Sequence, residues 1–365
     1  MVCQWNPTSA LKKKVTVVGG GNWGSAIACV VGKTVKMNDD VFDTKVTMWV
    51  RDSRKPEEIH RVPSLADIIN ETRENAKYLP GRKLPENVEA ETDLVKACKN
   101  ADFLVFVIPH QGIKSICGQL KGTLKPGAMA ISLIKGISKD EENGGLKLIS
   151  TEMSEELGID VSVLMGANLA GEVADEKFCE ATIGCRTIEK DGELLKKLFD
   201  TPNFRIRLVK DVHTVELNGA LKNVVACAAG FADGLGWNYN MKSAVIRKGL
   251  LETTQFVQYY YPGSKIDPFF ESCGVADLIT TCFGGRNRKV AEAFVRSDKS
   301  LTEVEQELLN GQSAQGPPTA AEVFEMISKS DLTKKFPLFT RVHEICTGQK
   351  SADTLLNCLR GSTRA

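Results

Sequence analysis

The sequence predicts an α/β protein: a doubly wound, mostly parallel sheet followed by an all-α C-terminal unit. Three observations carry that expectation. Short apolar runs alternate with amphipathic stretches through the first half. The first run stops abruptly in a cluster of glycines, Gly19-Gly20-Gly21. Strand patterns fade near residues 209–211, and helical patterns follow.

Taken in order, apolar runs at residues 15–18, 46–50, 103–108, 128–134 and 162–165 read as buried strands. Stretches at 23–31, 93–98, 113–120 and 146–157 read as the helices between them, the pattern of βαβ units. Residues 38–44 and 78–85, the latter with Pro80, Gly81 and Pro85, read as loops. Further on, helices are expected at 215–233, 244–260, 286–296, 301–308, 319–328 and 338–346. The domains are placed at 1–209 and 210–365. A length of 365 residues fits about two domains at roughly 150 residues each.

Composition narrows the function. Hydrophobic residues at 42% and charged residues at 25% are ordinary for a folded globular chain, which argues against disorder. Lys+Arg is 47 and Asp+Glu is 46, so the net charge of +1 provides no broad phosphate-neutralising surface and disfavours a nucleic-acid partner. The 11 cysteines are scattered, no CxxC occurs and there are 4 histidines, so zinc spacing is absent and no metal is expected. Reduced thiols in a cytoplasmic protein are the expectation. No apolar run approaches the ~18 residues of a membrane span, so no membrane insertion is expected. The start lacks an apolar signal core, Val2 excludes myristoylation, and Ser362-Thr363-Arg364-Ala365 is no obvious address.

The glycines give the first chemistry. Gly19, Gly21 and Gly24 fit G-x-G-x-x-G between a strand and a helix, with Asn22 and Trp23 inside the motif. Gly19 allows the tight turn, Gly21 lets backbone approach a pyrophosphate, and Gly24 lets helix and strand pack closely. This is the arrangement of a Rossmann-like nucleotide site. The next strand should end near the adenosine ribose, and there the sequence reads Arg51-Asp52. Asp52 favours NAD by accepting from the ribose hydroxyls, whereas Arg51 suits a 2′-phosphate and keeps NADP open.

Three other strand ends carry polar groups on the expected ligand edge: Pro109-His110-Gln111, Lys135-Gly136 and Gly166-Ala167-Asn168. Lys135 offers a cation to an anionic substrate. Within LNGALKNVVACAAGFAD, Lys222 and Asn223 interrupt an otherwise small and apolar helix, and Asn218 shares the face of Lys222. A lysine withdrawn from water loses its proton readily and suits general acid–base work. Downstream, Gly284-Gly285 precedes Arg286-Asn287 and a helix, which suits a phosphate. Asp277 lies in a largely apolar run and calls for a buried partner, with Lys222 the candidate.

The segments GNWGSAIA, VTMWVRD, VIPHQ, SLIKG, VLMGAN, EVADEKFCEATIG, NGALKNVVA and ESCGVADLITTCFGGRNRKVAEAF together resemble NAD-dependent glycerol-3-phosphate dehydrogenases of the eukaryotic cytosolic type. The likeness runs from about Val15 to Phe339. It implies a Rossmann-like domain, a helical C-terminal domain, a homodimer, and interconversion of dihydroxyacetone phosphate plus NADH with sn-glycerol 3-phosphate plus NAD+. By motif it implies Lys222 as the catalytic lysine with Asp277 beside it, and Lys135, Asn223, Thr281, Arg286 and Asn287 around the substrate. Gly19, Gly21, Asn22, Trp23, Gly24, Arg51, Asp52, Gly112, Ala170, Arg286 and Gln315 would meet the cofactor. Three positions depart from the usual pattern: Gly112 where Phe is common, Arg51 where an aromatic is common, and Ser313 where Lys is common. Another dehydrogenase of like architecture, or an NAD-binding redox sensor without turnover, are the alternatives on the residues alone.

Overall fold

The computed structural model describes residues 11–59, 61–139, 146–309 and 313–360. The chain start through residue 10, with Cys3, and the tail from Gly361, with Ser362-Thr363-Arg364-Ala365, lie outside the described residues.

Eight strands form one sheet: β1 (Lys13–Val18), β2 (Phe42–Trp49), β3 (Val88–Glu91), β4 (Phe103–Phe106), β5 (Met129–Ser132), β8 (Val161–Met165), β9 (Cys179–Gly184) and β10 (Phe204–Val209). Between β5 and β8, β6 (Ser138–Lys139) and β7 (Leu146–Lys147) make a separate antiparallel pair. The sheet order is β10-β9-β8-β5-β4-β1-β2-β3, and every neighbouring pair is parallel except β8 with β9. From β1 the chain builds outward to β3, then returns to β4 on the other side. The carboxyl end of β1 is therefore the topological switch point, where open sheets bind ligands.

Alternation along β1 explains why both faces need cover. Val15 and Val17 belong to one apolar cluster and Val18 to another. Helices α1 (Asn22–Met37), α2 (Leu65–Thr72), α6 (Ala170–Ala174) and α7 (Glu193–Phe199) bury the first face. Helices α3 (Leu94–Cys98), α4 (Ile113–Leu120) and α5 (Ile149–Leu157) bury the second.

The sequence expectations need correction in places. β2 starts at Phe42, inside the expected loop, because Phe42 is fully buried edge-on against Phe103. The expected helix at 146–157 begins only at Ile149, since Leu146–Lys147 pairs with Ser138–Lys139. β3, β9 and β10 were not expected. β10 reads FRIRLV, and its polar residues break any continuous apolar run.

The second half is helical: α8 (Val212–Gly234), α9 (Tyr239–Tyr260), α10 (Asp277–Gly284), α11 (Arg286–Val295), α12 (Leu301–Leu309), α13 (Gly316–Lys329), α14 (Pro337–Cys346) and α15 (Leu355–Arg360). α8 is buried on every side after its first turn, as its run of alanine, valine and leucine requires. It packs against α9, α10, α11, α13 and α14. Its start also closes on the sheet, where Val212 and Val215 meet Val163, Met165 and Cys273. Glu216, fully buried on α8, accepts from Ser150 N at 3.0 Å and Ser150 Oγ at 2.5 Å, so it caps α5 from the other half. Burial pushes its carboxyl up to about 7.

Candidate active site

α8 carries Lys222 into the junction between the halves, and α10, which the sequence reading missed as a helix, supplies its partners. Lys222 Nζ donates to Asp277 Oδ1 at 2.5 Å and to Thr281 Oγ1 at 2.5 Å. Asp277 and Thr281 lie one turn apart on α10, and Thr281 Oγ1 lies 3.2 Å from Asp277 Oδ1. From the sheet, Lys135 Nζ reaches Asp277 Oδ2 at 3.1 Å. One buried carboxylate thus stands between two lysines. The side chain of Lys222 is 8% exposed and that of Lys135 27% exposed. Lys135 is therefore the cation that faces outward. Burial drives the pKa of Lys222 down, Asp277 pulls it back up, and Lys135 lowers it further.

A polar chain extends from this cluster. Asn287 Nδ2 donates to Asn223 Oδ1 at 2.9 Å, and Gly316 N donates to Asn287 Oδ1 at 2.8 Å. Both side chains are buried, and the Asn287 amide is committed to holding α8, α11 and α13 together. What α11 offers outward is its first turn, which no side chain caps, with Arg286 exposed at its first position. The surrounding protein depresses the Arg286 pKa by desolvation, partly offset by Glu305. A helix start beside an arginine is suited to an anion.

At the switch point, Gly19 has φ +129°, and a Cβ there would sit 2.3 Å from Val107 O. A Cβ on Gly24 would sit 1.9 Å from Gly19 O, so the strand–helix turn requires both glycines. Gly21, by contrast, has nothing within 4 Å of a Cβ position, which leaves room for a ligand against its backbone. Asn22 and Trp23 serve the turn itself. Asn22 Nδ2 donates to Tyr78 O at 2.7 Å, and Trp23 packs on the core. Asn75, which nothing in the sequence flagged, donates to Gly20 O and Ser25 Oγ, both at 2.8 Å.

The remaining positions expected at the cofactor come from both halves of the chain. Gly112 ends a short turn after β4, Ala170 opens α6 after β8, and Gln315 precedes α13. Arg51 is exposed. Asp52 is gripped by Arg54, whose Nη2 lies 2.7 Å from Asp52 Oδ2.

The residues present fit a dinucleotide and a small phosphorylated substrate. In addition to the open Gly21, Asn218 Nδ2, His110 Nδ1 and Gln315 Oε1 are buried without a partner at hydrogen-bond geometry among the described residues, although His110 and Gln315 interact with each other and Asn218 with Cys273. Asn218 lies one turn before Lys222, His110 packs on Gly136 next to Lys135, and Gln315 adjoins Gly316. Among the described residues no group of three His, Cys, Asp or Glu is placed to hold a metal.

Two family profiles match the chain. NAD-dependent glycerol-3-phosphate dehydrogenase N-terminus matches residues 14–191, and the C-terminus of the same family matches residues 211–357. The chain is 62% identical over 356 residues to a protein of Caenorhabditis elegans named probable glycerol-3-phosphate dehydrogenase 2, covering 95% of this chain and 90% of that one. It is 55% identical over 349 residues to the human protein named glycerol-3-phosphate dehydrogenase [NAD(+)], cytoplasmic, covering 95% and 97%. A solved glycerol-3-phosphate dehydrogenase from Saccharomyces cerevisiae superposes with a TM-score of 0.87 at 42% identity, covering 95% of this chain and 99% of that one.

Proposed function

We infer the roles of individual residues from the premise that the chain belongs to the NAD-dependent glycerol-3-phosphate dehydrogenase family. It is an NAD-dependent oxidoreductase that interconverts dihydroxyacetone phosphate and sn-glycerol 3-phosphate. NADH held along the glycine loop supplies the hydride. As negative charge grows on the carbonyl oxygen of the substrate, Lys222 stabilises that charge and then gives up its proton. Its depressed pKa makes the proton easy to release, while Asp277 and Thr281 fix the direction in which it points. In the reverse direction neutral Lys222 takes the hydroxyl proton. Lys135 and Arg286, with the uncapped start of α11, grip the phosphate, and Asn223 and Asn287 brace that surface. The sheet half, 1–209, is the nucleotide-binding domain in this reading, and 210–365 the substrate domain.

The observation that carries these roles is the buried Lys222–Asp277–Lys135 cluster. A cytoplasmic homodimer belongs to the same reading. The cytoplasmic name of the human relative supports the compartment, and among the described residues no helix is long and apolar enough to cross a membrane. Sedimentation of the purified chain tests the dimer, which a monomer at micromolar concentration would rule out.

NADH oxidation with dihydroxyacetone phosphate against unphosphorylated dihydroxyacetone, in wild type and Arg286→Ala, tests the roles. Losing one charge-assisted contact to the phosphate costs about 1.5–3 kcal/mol, or ~10- to 150-fold in kcat/KM, for the phosphorylated ketone. The unphosphorylated ketone should change little. Equal loss for both would remove Arg286 from the phosphate site.

A further inference from the structure

The adenosine end of the site differs from what an acid at the end of β2 would ordinarily provide. β2 ends against the glycine loop: Gly19 N donates to Trp49 O at 3.1 Å, and a Cβ on Gly20 would lie 2.7 Å from a Val50 methyl. Whatever follows Val50 therefore stands beside the nucleotide loop. An unencumbered carboxylate there would accept from both ribose hydroxyls and repel a 2′-phosphate. Asp52 is encumbered. Arg54 Nε lies 3.0 Å from its Oδ1 and 3.2 Å from its Oδ2, Nη2 lies 2.7 Å from Oδ2, and the Arg54 backbone N–H donates to Oδ1 at 3.0 Å. The guanidinium is itself fixed, with Nη1 donating to Ile59 O at 3.0 Å and Val62 O at 2.8 Å.

Asp67 is the other acid whose charge bears on this pair. Its carboxylate is occupied at the start of α2, accepting from Ser64 N at 2.8 Å and Ser64 Oγ at 2.7 Å. Next to Asp52, Arg51 is exposed and makes no ion pair among the described residues. The segment thus presents two guanidinium groups, one of them unpaired, and two carboxylates that are already hydrogen-bonded.

We propose that Arg51 and Arg54 make the adenosine end of this site receptive to a 2′-phosphate, so that NADPH as well as NADH supports reduction of dihydroxyacetone phosphate. The proposal rests on the dehydrogenase reading above. The hydride passes from the reduced nicotinamide to the carbonyl carbon, Lys222 gives its proton to the oxygen, and NADP+ and sn-glycerol 3-phosphate leave. Arg54 acts by neutralising Asp52, Arg51 by offering its own charge. Both lie near solvent, so the effect is modest and salt-sensitive.

Calorimetric titration of the full-length protein with adenosine 2′,5′-bisphosphate and with AMP reads the 2′-phosphate directly, without turnover. The bisphosphate should bind ~3- to 10-fold more tightly, an advantage that shrinks at high salt. Arg51→Gln and Arg54→Gln should each remove most of it and lower the NADPH-to-NADH ratio of kcat/KM by a similar factor. Arg51 makes no ion pair, so Arg51→Gln carries the test if loss of Arg54 disturbs the turn. AMP binding as tightly as the bisphosphate, or a ratio unmoved by either substitution, would overturn the proposal. NADH-driven turnover separates the two levels of inference: its absence defeats the dehydrogenase roles, whereas its presence with no bisphosphate advantage defeats only this step.

Discussion

Asp277 is held between two lysines and Asp52 by one arginine, and their surroundings make them different devices. Asp277 is 2% exposed, and both of its oxygens meet lysines brought from separate parts of the chain. Asp52 is 28% exposed, and its partner Arg54 comes from the same loop. Water screens the second pair and not the first, so charges of the same kind act with very different force. The buried cluster can tune a proton, while the exposed one can only bias which nucleotide is preferred.

That contrast breaks most visibly at Asp277. Asp277→Asn leaves Lys222 and Lys135 facing each other without a counter-charge. Turnover should fall by ~10²–10⁴-fold, and stability by about 3–5 kcal/mol, the range for breaking a buried pair. Steady-state assay and chemical denaturation read both, and a loss below tenfold would show that the acid does not hold the lysine. Asp52→Asn, in the exposed cluster, should leave the melting temperature almost unchanged.

Glu216 sharpens the comparison, because it is a fully buried acid that meets Ser150 and, among the described residues, no lysine. Its folded carboxyl holds its proton up to about 7, whereas the ordinary value for a glutamate is 4.5. Between those values the folded state binds more protons than the unfolded one, so this group's contribution to stability declines as pH rises and levels off above the window. Glu216→Gln has no such proton. The stability of the variant relative to wild type should therefore grow from pH 4.5 to 7, by up to about 3 kcal/mol. A pH-independent difference would mean that the carboxyl ionises normally.

A smaller effect on turnover is expected at Asn287. Asn287→Ala strands Asn223 Oδ1 and Gly316 N, at a cost of about 1–3 kcal/mol. KM for dihydroxyacetone phosphate should rise severalfold as the start of α11 loosens. An unchanged KM with lowered stability would confine Asn287 to bracing.

Local chemistry made much of the site legible in the sequence. Gly19 and Gly24 were readable because strand, turn and helix are contiguous. Lys222 stood out because a cation in a small apolar helix has few uses, and Asp277 because an acid in an apolar run needs a partner. What escaped was set by distant contacts. Asn75 holds the glycine loop from 55 residues away, and Asn287 reaches Asn223 across 64. β9 and β10 carry weak strand patterns and exist because α7 returns the chain to pair them side by side. Asp52 was visible, but its capture by Arg54 was not, because a short RDSR segment does not reveal which way its side chains turn.

The central claim is that Lys222 is the proton donor, held by Asp277 and Thr281 and separate from the nucleotide grip. Single-turnover mixing of Lys222→Ala with NADH and dihydroxyacetone phosphate, alongside NADH titration by fluorescence, tests it most directly. The hydride-transfer rate should fall by ~10²–10⁴-fold or more while the NADH dissociation constant stays within about threefold of wild type. A rate within tenfold of wild type, or a loss of NADH binding that accounts for the whole defect, would contradict it.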